Sequence, residues 1–233
     1  MAFAQSRLTH AMKPRLTCFD LDHTLLSGDS DVFWCDFLIQ HGVLDAATFA
    51  AKNADMEARY KSGRVGLDEF ANFYVGTLAG RTPGQWEASR RLFLQTCIVP
   101  NIPVSAMALV QQHQRAGDVV VLTTATNRYI TELTAQHLGI DHLIATEPEL
   151  QGGVFTGHTQ GTLNMRHGKV SRLQNWLAAR HQKRSDFFIT AYSDSINDWP
   201  LLAMADQAVA VDPDVRLKAR AKLFNWSILK IKR

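Results

Sequence analysis

Two carboxylates, Asp20 and Asp22, stand two residues apart where the apolar run 16–19 ends, in the segment Thr17-Cys18-Phe19-Asp20-Leu21-Asp22-His23-Thr24. If that run is a strand, its period of two points both side chains the same way at its C-terminal end, the edge at which open α/β sheets bind ligands. Adjacent carboxylates repel one another and lose solvation, so a fold keeps them where a cation or a proton-transfer task stabilises the pair. Further polar groups follow later apolar runs: Thr124 after 119–122, and Asp194 and Asp198 after 187–191. Lys169 opens an amphipathic helix over 169–180. Hard oxygen ligands such as Asp20 and Asp194 suit Mg2+, which keeps several waters and usually pairs with phosphate. Lys169 and Thr124 could then hold phosphate oxygens, while one carboxylate attacks phosphorus and its neighbour handles protons.

The elements that must position these groups are readable from periodicity. Over residues 27–103, Val32-Phe33-Trp34, Phe37-Leu38-Ile39 and Phe70, Phe73, Tyr74, Leu78 recur at helical spacing with breakers at Gly42, Ser62-Gly63, 80–84 and 100–103. This predicts a bundle of about four helices with its own aromatic core, inserted after the first strand. From residue 104 the rhythm becomes strand and helix in alternation: a helix over 104–116, strands over 119–122 and 143–145, a hairpin over 151–157, strands over 187–191 and 208–211, and a last helix and strand ending at 231. Such alternation with short loops implies an α/β fold, a doubly wound parallel sheet. The division is residues 1–26 and 104–233 for the sheet core and 27–103 for the helical insert.

Composition narrows the setting. A net charge of +3 over 233 residues argues for no nucleic-acid partner, and the basic tail 216–233 reads as a solvated face. No run reaches the roughly 18 apolar residues of a membrane span, and residues 1–15 read as a short polar leader without a secretory h-region. Cys18, Cys35 and Cys97 lie in apolar contexts and read as reduced core residues of a cytoplasmic protein.

Rival readings of the motifs fail on spacing. An EF-hand loop needs glycine where Leu25 stands, and a P-loop would need one at Leu163. His10, His41, His113, His137, His142, His158, His167 and His181 show no ligand spacing and read as surface or structural, with His23 a spacer in the first motif.

Taken together in order, these segments resemble the haloacid dehalogenase superfamily phosphatases, of the subfamily with a helical cap after the first motif, to which phosphoserine phosphatase belongs. Over residues 15–232, Asp20 to Thr24 fits DxDxT, Thr124 the Ser/Thr motif, Lys169 in His167-Gly168-Lys169 the lysine motif, and 194–198 DxxxD. The resemblance implies a Rossmann-like core with a cap, and an Mg2+-dependent phosphatase acting through an aspartyl-phosphate. In it Asp20 would be the nucleophile and Asp22 the acid and base. Asp20, the Asp22 backbone carbonyl and Asp194 would bind Mg2+. Thr124, with Ala125 beside it, and Lys169 would hold the phosphoryl group, and Asp198 would orient the lysine or a metal-bound water.

Asp29 lies where the resemblance puts a glutamate that binds a substrate amine, although it could equally cap the first helix of the insert. At the arginine that would bind a serine carboxylate the chain offers Asn72 and Tyr74, with Arg59 and Arg64 as the nearest cations in sequence. An amine-bearing ester without a carboxylate, such as histidinol phosphate, therefore fits better than phosphoserine. The expected partner is a small phosphorylated metabolite, and the expected state a monomer or homodimer. Two alternatives stand beside this reading: a phosphotransferase passing the phosphoryl group to an alcohol, and a non-catalytic Mg2+- and phosphate-binding regulator.

Overall fold

The computed structural model describes residues 13–231; the expected leader over 1–12 and His10 lie outside the described residues. Seven strands form one sheet in the order β4-β3-β2-β1-β5-β6-β7. β1 (Arg15–Phe19) lies at its centre, parallel to β2 (Val119–Asn127) and to β5 (Phe188–Ser193). β6 (Gln207–Val211) and β7 (Ser227–Leu229) extend the parallel array, as does β3 (His142–Gln151) beside β2. Among the described strands only the edge strand β4 (Val154–Gln160) runs antiparallel, against β3. Its turn, Gly152-Gly153, takes φ of 59° and 80°, a conformation that favours glycine.

The strand order turns back at β1, which is where a ligand crevice opens beyond the carboxyl ends. Alternation along β1 separates two cores. Phe19 joins Leu122 and Tyr192 on one face, whereas Leu16 and Cys18 join Val121, Ile189 and Ala191 on the other. Helices cover both faces: α5 (Val104–Arg115), α6 (Arg128–His137), α7 (His167–Ala178), α8 (Trp199–Met204) and α9 (Val215–Leu223).

Between β1 and β2 the chain inserts α1 (Ser30–Gln40), α2 (Ala46–Lys61), α3 (Leu67–Val75) and α4 (Pro83–Phe93). Caps set their starts. Asp29 accepts from the backbone of Asp31 and Val32, Asp45 from Thr48, and Thr82 forms a reciprocal capping box with Gln85. After α4 a π turn (Leu94–Ile98) and a 3-10 turn (Val99–Asn101) lead into α5.

Three expectations are corrected. First, the insert's aromatic core is only partly its own: Trp34, Phe37, Trp86 and Phe93 are continuous with Phe19, Leu122 and Tyr129 of the sheet layer, while Phe70 and Tyr74 cluster with Cys35, Met56 and Val65 of the insert and with Met165. Helical spacing marks which face is apolar but not what covers it. Secondly, β2 continues through Thr123-Thr124-Ala125-Thr126 to Asn127, because β-branched threonines pair well in a strand. Thirdly, β3 runs on to Gln151 because its second half pairs with β4 instead of β2.

Candidate active site

The crevice is a cleft of about 1310 Å³ between the strand ends and the insert, and Asp20, Asp22, Ala125, Lys169, Asp194 and Asp198 all line it. Asp20 sits one residue beyond β1, its N–H donating to the Tyr192 carbonyl at 3.0 Å and so extending the parallel pairing past the strand. Its side chain is buried, and both oxygens are taken: Lys169 Nζ donates to Oδ1 at 2.6 Å and Thr24 Oγ1 to Oδ2 at 3.1 Å. Lys169 reaches there from the first turn of α7, and also donates to Asp198 Oδ2 at 2.6 Å, where Ser193 Oγ adds a bond of 2.8 Å. Asp194, after β5, lies on the other side of the same threonine: its N–H donates to Thr24 Oγ1 at 3.0 Å, and Thr24 Oγ1 lies 3.2 Å from Asp194 Oδ1. Three strand-end carboxylates thus converge on one lysine and one hydroxyl.

The electrostatics follow from that crowding. Burial, with repulsion from Asp198 and Asp22 opposing the relief given by Lys169, pushes Asp20 up to about 7. Burial, then Asp20 and Asp198, holds Asp194 well above the carboxylate range. Burial alone would lower Lys169, but Asp198 and Asp20 outweigh it and keep the ammonium charged. Among the described residues no three His, Cys, Asp or Glu side chains are grouped to hold a metal unaided. A cation here would therefore draw on the Asp20 and Asp194 carboxylates together with backbone oxygen and water. That donor set fits a hard divalent ion of the Mg2+ type, whose charge would relieve the same repulsion.

Asp22 has a different setting. The ladder of β1 ends at Phe19, so strand alternation no longer governs its direction, and it turns from Asp20 toward β2 and α1. Thr124 Oγ1 and Thr126 Oγ1 donate to its Oδ2 at 3.1 and 3.0 Å, and the N–H of Ser30 to its Oδ1 at 2.7 Å. Thr124, expected on the phosphoryl group, is fully buried beneath Asp22 and does not line the cleft; Thr126, two residues on along the same strand face, does. Thr126 escaped notice in the sequence because it ends a run of similar residues.

The insert contributes Asp29, Asp31, Glu57, Tyr60 and Phe70 to the cleft. Asp29 does cap α1, with one oxygen accepting from Asp31 N at 3.0 Å and Val32 N at 3.1 Å, yet it also faces the cleft. Burial and the Asp22 charge push it up to about 7. Asp31, absent from the sequence reading, is buried with Oδ2 bonded to Thr126 and Oδ1 without a hydrogen-bond partner. Burial, then Asp29 and Asp22, drives it well above the carboxylate range.

Neither Arg59 nor Arg64 lines the cleft. Arg59 pairs with Glu69 at 2.8 Å and Asp55 at 3.6 Å, and Arg64 donates to Ser62 at 2.9 Å. Asn72 holds the Thr159 N–H of β4, and the Tyr74 hydroxyl donates to Asn53. His23, read as a spacer, and the tail residues Arg216 and Arg220, read as a solvated face, do border the cleft; both arginines are also exposed. His113 is structural, buried between Asp118 at 2.6 Å and Tyr192 at 2.8 Å.

The family model for haloacid dehalogenase-like hydrolases matches residues 17–203 of the chain that builds this cleft. The chain belongs to that family. A histidinol-phosphatase of Neisseria meningitidis serogroup C is 37% identical over 93% of this chain and 99% of the relative. The phosphoserine phosphatase SerB1 of Mycobacterium tuberculosis is 31% identical over 90% of this chain and 68% of its own. Among solved structures, a protein of unknown function from Bordetella pertussis Tohama I superposes with a TM-score of 0.89 at 39% identity, covering 94% and 99% of the two chains. A phosphoserine phosphatase solved as a phospho-aspartyl intermediate analogue shares the fold, at a TM-score of 0.69 and 18% identity over 95% of each chain. The chain is a hydrolase of the phosphatase type.

Proposed function

We propose that this phosphatase hydrolyses a small phosphomonoester bearing a cationic nitrogen, with Asp20 as nucleophile and Mg2+ as cofactor. The observation that carries the mechanism is the seating of Asp20: a buried carboxylate at the crevice end of the central strand, fixed by Lys169 and Thr24 and facing Asp194 across one hydroxyl. An Asp20 oxygen attacks phosphorus, the bond to the ester oxygen breaks, and Asp22 gives that oxygen its proton. Asp22 then takes a proton from water as the water attacks the phosphorus of phospho-Asp20, releasing inorganic phosphate and restoring the Asp20 carboxylate and the protonated Asp22. The hydroxyls of Thr124 and Thr126 can donate or accept, so Asp22 loads and unloads its proton without changing position. Mg2+ held by Asp20, Asp194 and the Asp22 carbonyl would neutralise charge on the phosphoryl oxygens. Lys169, locked between Asp20 and Asp198, offsets the nucleophile's charge.

The cationic nitrogen is supported by the other side of the cleft, where Asp29, Asp31 and Glu57 come from the insert. An ammonium or imidazolium there would lower the repulsion that raises Asp29 and Asp31. Among named relatives, the histidinol-phosphatase agrees with such a substrate. The test is phosphate release from a panel of phosphomonoesters, with and without Mg2+. Histidinol phosphate should be turned over in preference to phosphoserine and to a neutral aryl phosphate, and chelation should abolish turnover. Equal rates across the panel would remove the substrate assignment, and undiminished turnover after chelation would remove the metal.

A further inference from the structure

We infer that Arg166 is a phosphate-binding residue of this site. The inference rests on the phosphatase reading and extends it to a residue outside the four motifs. Arg166 stands immediately before α7, half-buried, and lines the cleft. Its backbone has φ 49° and ψ −122°. The Gly168 N–H donates to the Met165 carbonyl at 2.8 Å, so Arg166 occupies the first central position of a type II′ turn, where glycine is the usual residue. Such a conformation in a long side chain persists only where the surroundings dictate it, and clusters at ligand sites.

The surroundings here do dictate it. Asn164 Nδ2 donates to Thr123 Oγ1, the Thr124 carbonyl and the Ile144 carbonyl at 3.0, 2.9 and 2.8 Å, which ties the loop to the middle of β2 and the first residues of β3. Met165 is buried in the insert's second apolar cluster. On the other side, a Cβ on Gly168 would lie 2.0 Å from the Leu163 carbonyl oxygen, so the loop cannot relax in that direction. Between these anchors Arg166 is left at the cleft, and among the described residues its guanidinium has neither a hydrogen bond nor an ion pair.

Charge identifies the ligand. Lys169 is committed to two carboxylates and the Thr124 hydroxyl to Asp22. Arg216 and Arg220 are exposed on α9, and Arg220 lies over the Trp199 ring. Among the described lysines and arginines that line the cleft, Arg166 is therefore the half-buried cation still able to receive a phosphate dianion, and a guanidinium fork matches two phosphate oxygens. It grips two non-bridging oxygens of the phosphoryl group and then the released inorganic phosphate.

The experiment is calorimetric titration of the Mg2+-loaded protein with inorganic phosphate, beside kcat/KM for histidinol phosphate and for an activated aryl phosphate. It compares wild type with Arg166→Ala, Arg166→Lys and Arg166→Gly. Arg166→Ala and Arg166→Gly should each raise the phosphate Kd roughly 10- to 100-fold and lower kcat/KM for both esters by a similar factor. Arg166→Lys should recover part of the loss. Arg166→Gly should melt above Arg166→Ala, because glycine tolerates the turn, so loss of binding in the better-folded variant is not a folding defect. Unchanged phosphate affinity in Arg166→Gly, or a loss confined to one of the two esters, would overturn the inference and leave the phosphatase reading intact. No phosphate binding by the wild type would overturn both.

Discussion

The two walls of the cleft are built on opposite terms. On the sheet side Asp20, Asp194, Asp198 and Lys169 are bonded to one another and to Thr24 and Ser193, and both oxygens of Asp20 have protein partners. On the side built by the insert and the loop before α7, Asp31 Oδ1 is buried without a hydrogen-bond partner and the Arg166 guanidinium has none among the described residues. Strand ends are rigid and supply fixed geometry, which a reaction needs before substrate arrives. Groups left unsatisfied cost free energy until a ligand completes them, which makes them instruments of recognition. On the reading proposed above, the nucleophile and its cation come from the sheet side, and the groups that meet the substrate come from the insert and the loop before α7.

Substitutions should respect that division, and the largest effect belongs to the sheet side. Asp20→Asn should lower turnover of every ester by roughly 10⁴-fold or more without lowering the melting temperature, since the amide fits the same space and sheds a buried charge. Substantial turnover in the purified variant would dissolve the distinction between the walls. Lys169→Met leaves Asp20 and Asp198 without their shared cation, and removing one partner of a buried ion pair costs about 3 kcal/mol or more. Urea unfolding should report that loss together with inactivity; a variant as stable as wild type would mean that the carboxylates find relief elsewhere.

On the selective wall, Asp29→Asn keeps an oxygen for the α1 cap and removes only charge. It should cost about 10- to 100-fold in kcat/KM for an amine-bearing ester and little for a neutral aryl phosphate. Equal losses on the two would show that Asp29 serves structure alone. Thr126→Val bridges the walls, because its hydroxyl contacts both Asp22 and Asp31. Losing those bonds should slow poor leaving groups by roughly tenfold and an activated aryl phosphate less.

The smallest effect is on stability against pH. Asp20 and Asp29 are each raised in the folded protein to about 7, so each binds its proton more tightly folded than unfolded. The stabilisation is full below the unfolded value near 4 and is lost as pH rises to about 7. The metal-free, substrate-free protein should therefore be more stable at pH 5 than at pH 8, and Asp29→Asn should flatten the slope. A slope of opposite sign would contradict the electrostatics of both walls.

The sequence revealed the first wall far better than the second, for a physical reason. Asp20, Asp194 and Asp198 follow apolar strands, and Lys169 opens an amphipathic helix, so periodicity alone marks where the sheet ends and chemistry can begin. Asp31 looks like any acid in a first helical turn, and nothing local tells that its second oxygen is buried without a hydrogen-bond partner. Arg166 hides in a polar loop, since its turn carries arginine where glycine would have signalled positive φ. Ending the strand at 122 hid the relation between Thr124 and Thr126: with β2 running on to Asn127, Thr124 lies buried beneath Asp22 and Thr126 lines the cleft. The fusion of insert and sheet cores escaped for a related reason, because spacing shows which face of α1 and α4 is apolar and says nothing of the partner.

The most direct measurement is chemical: quench the Mg2+-loaded enzyme during turnover of histidinol phosphate, digest it, and locate the phosphoryl group by mass spectrometry. The account predicts a transient adduct on the peptide carrying Asp20, on the Asp20 side chain, and none in Asp20→Asn. Steady turnover with no adduct on any peptide, or an adduct on another side chain, would contradict it.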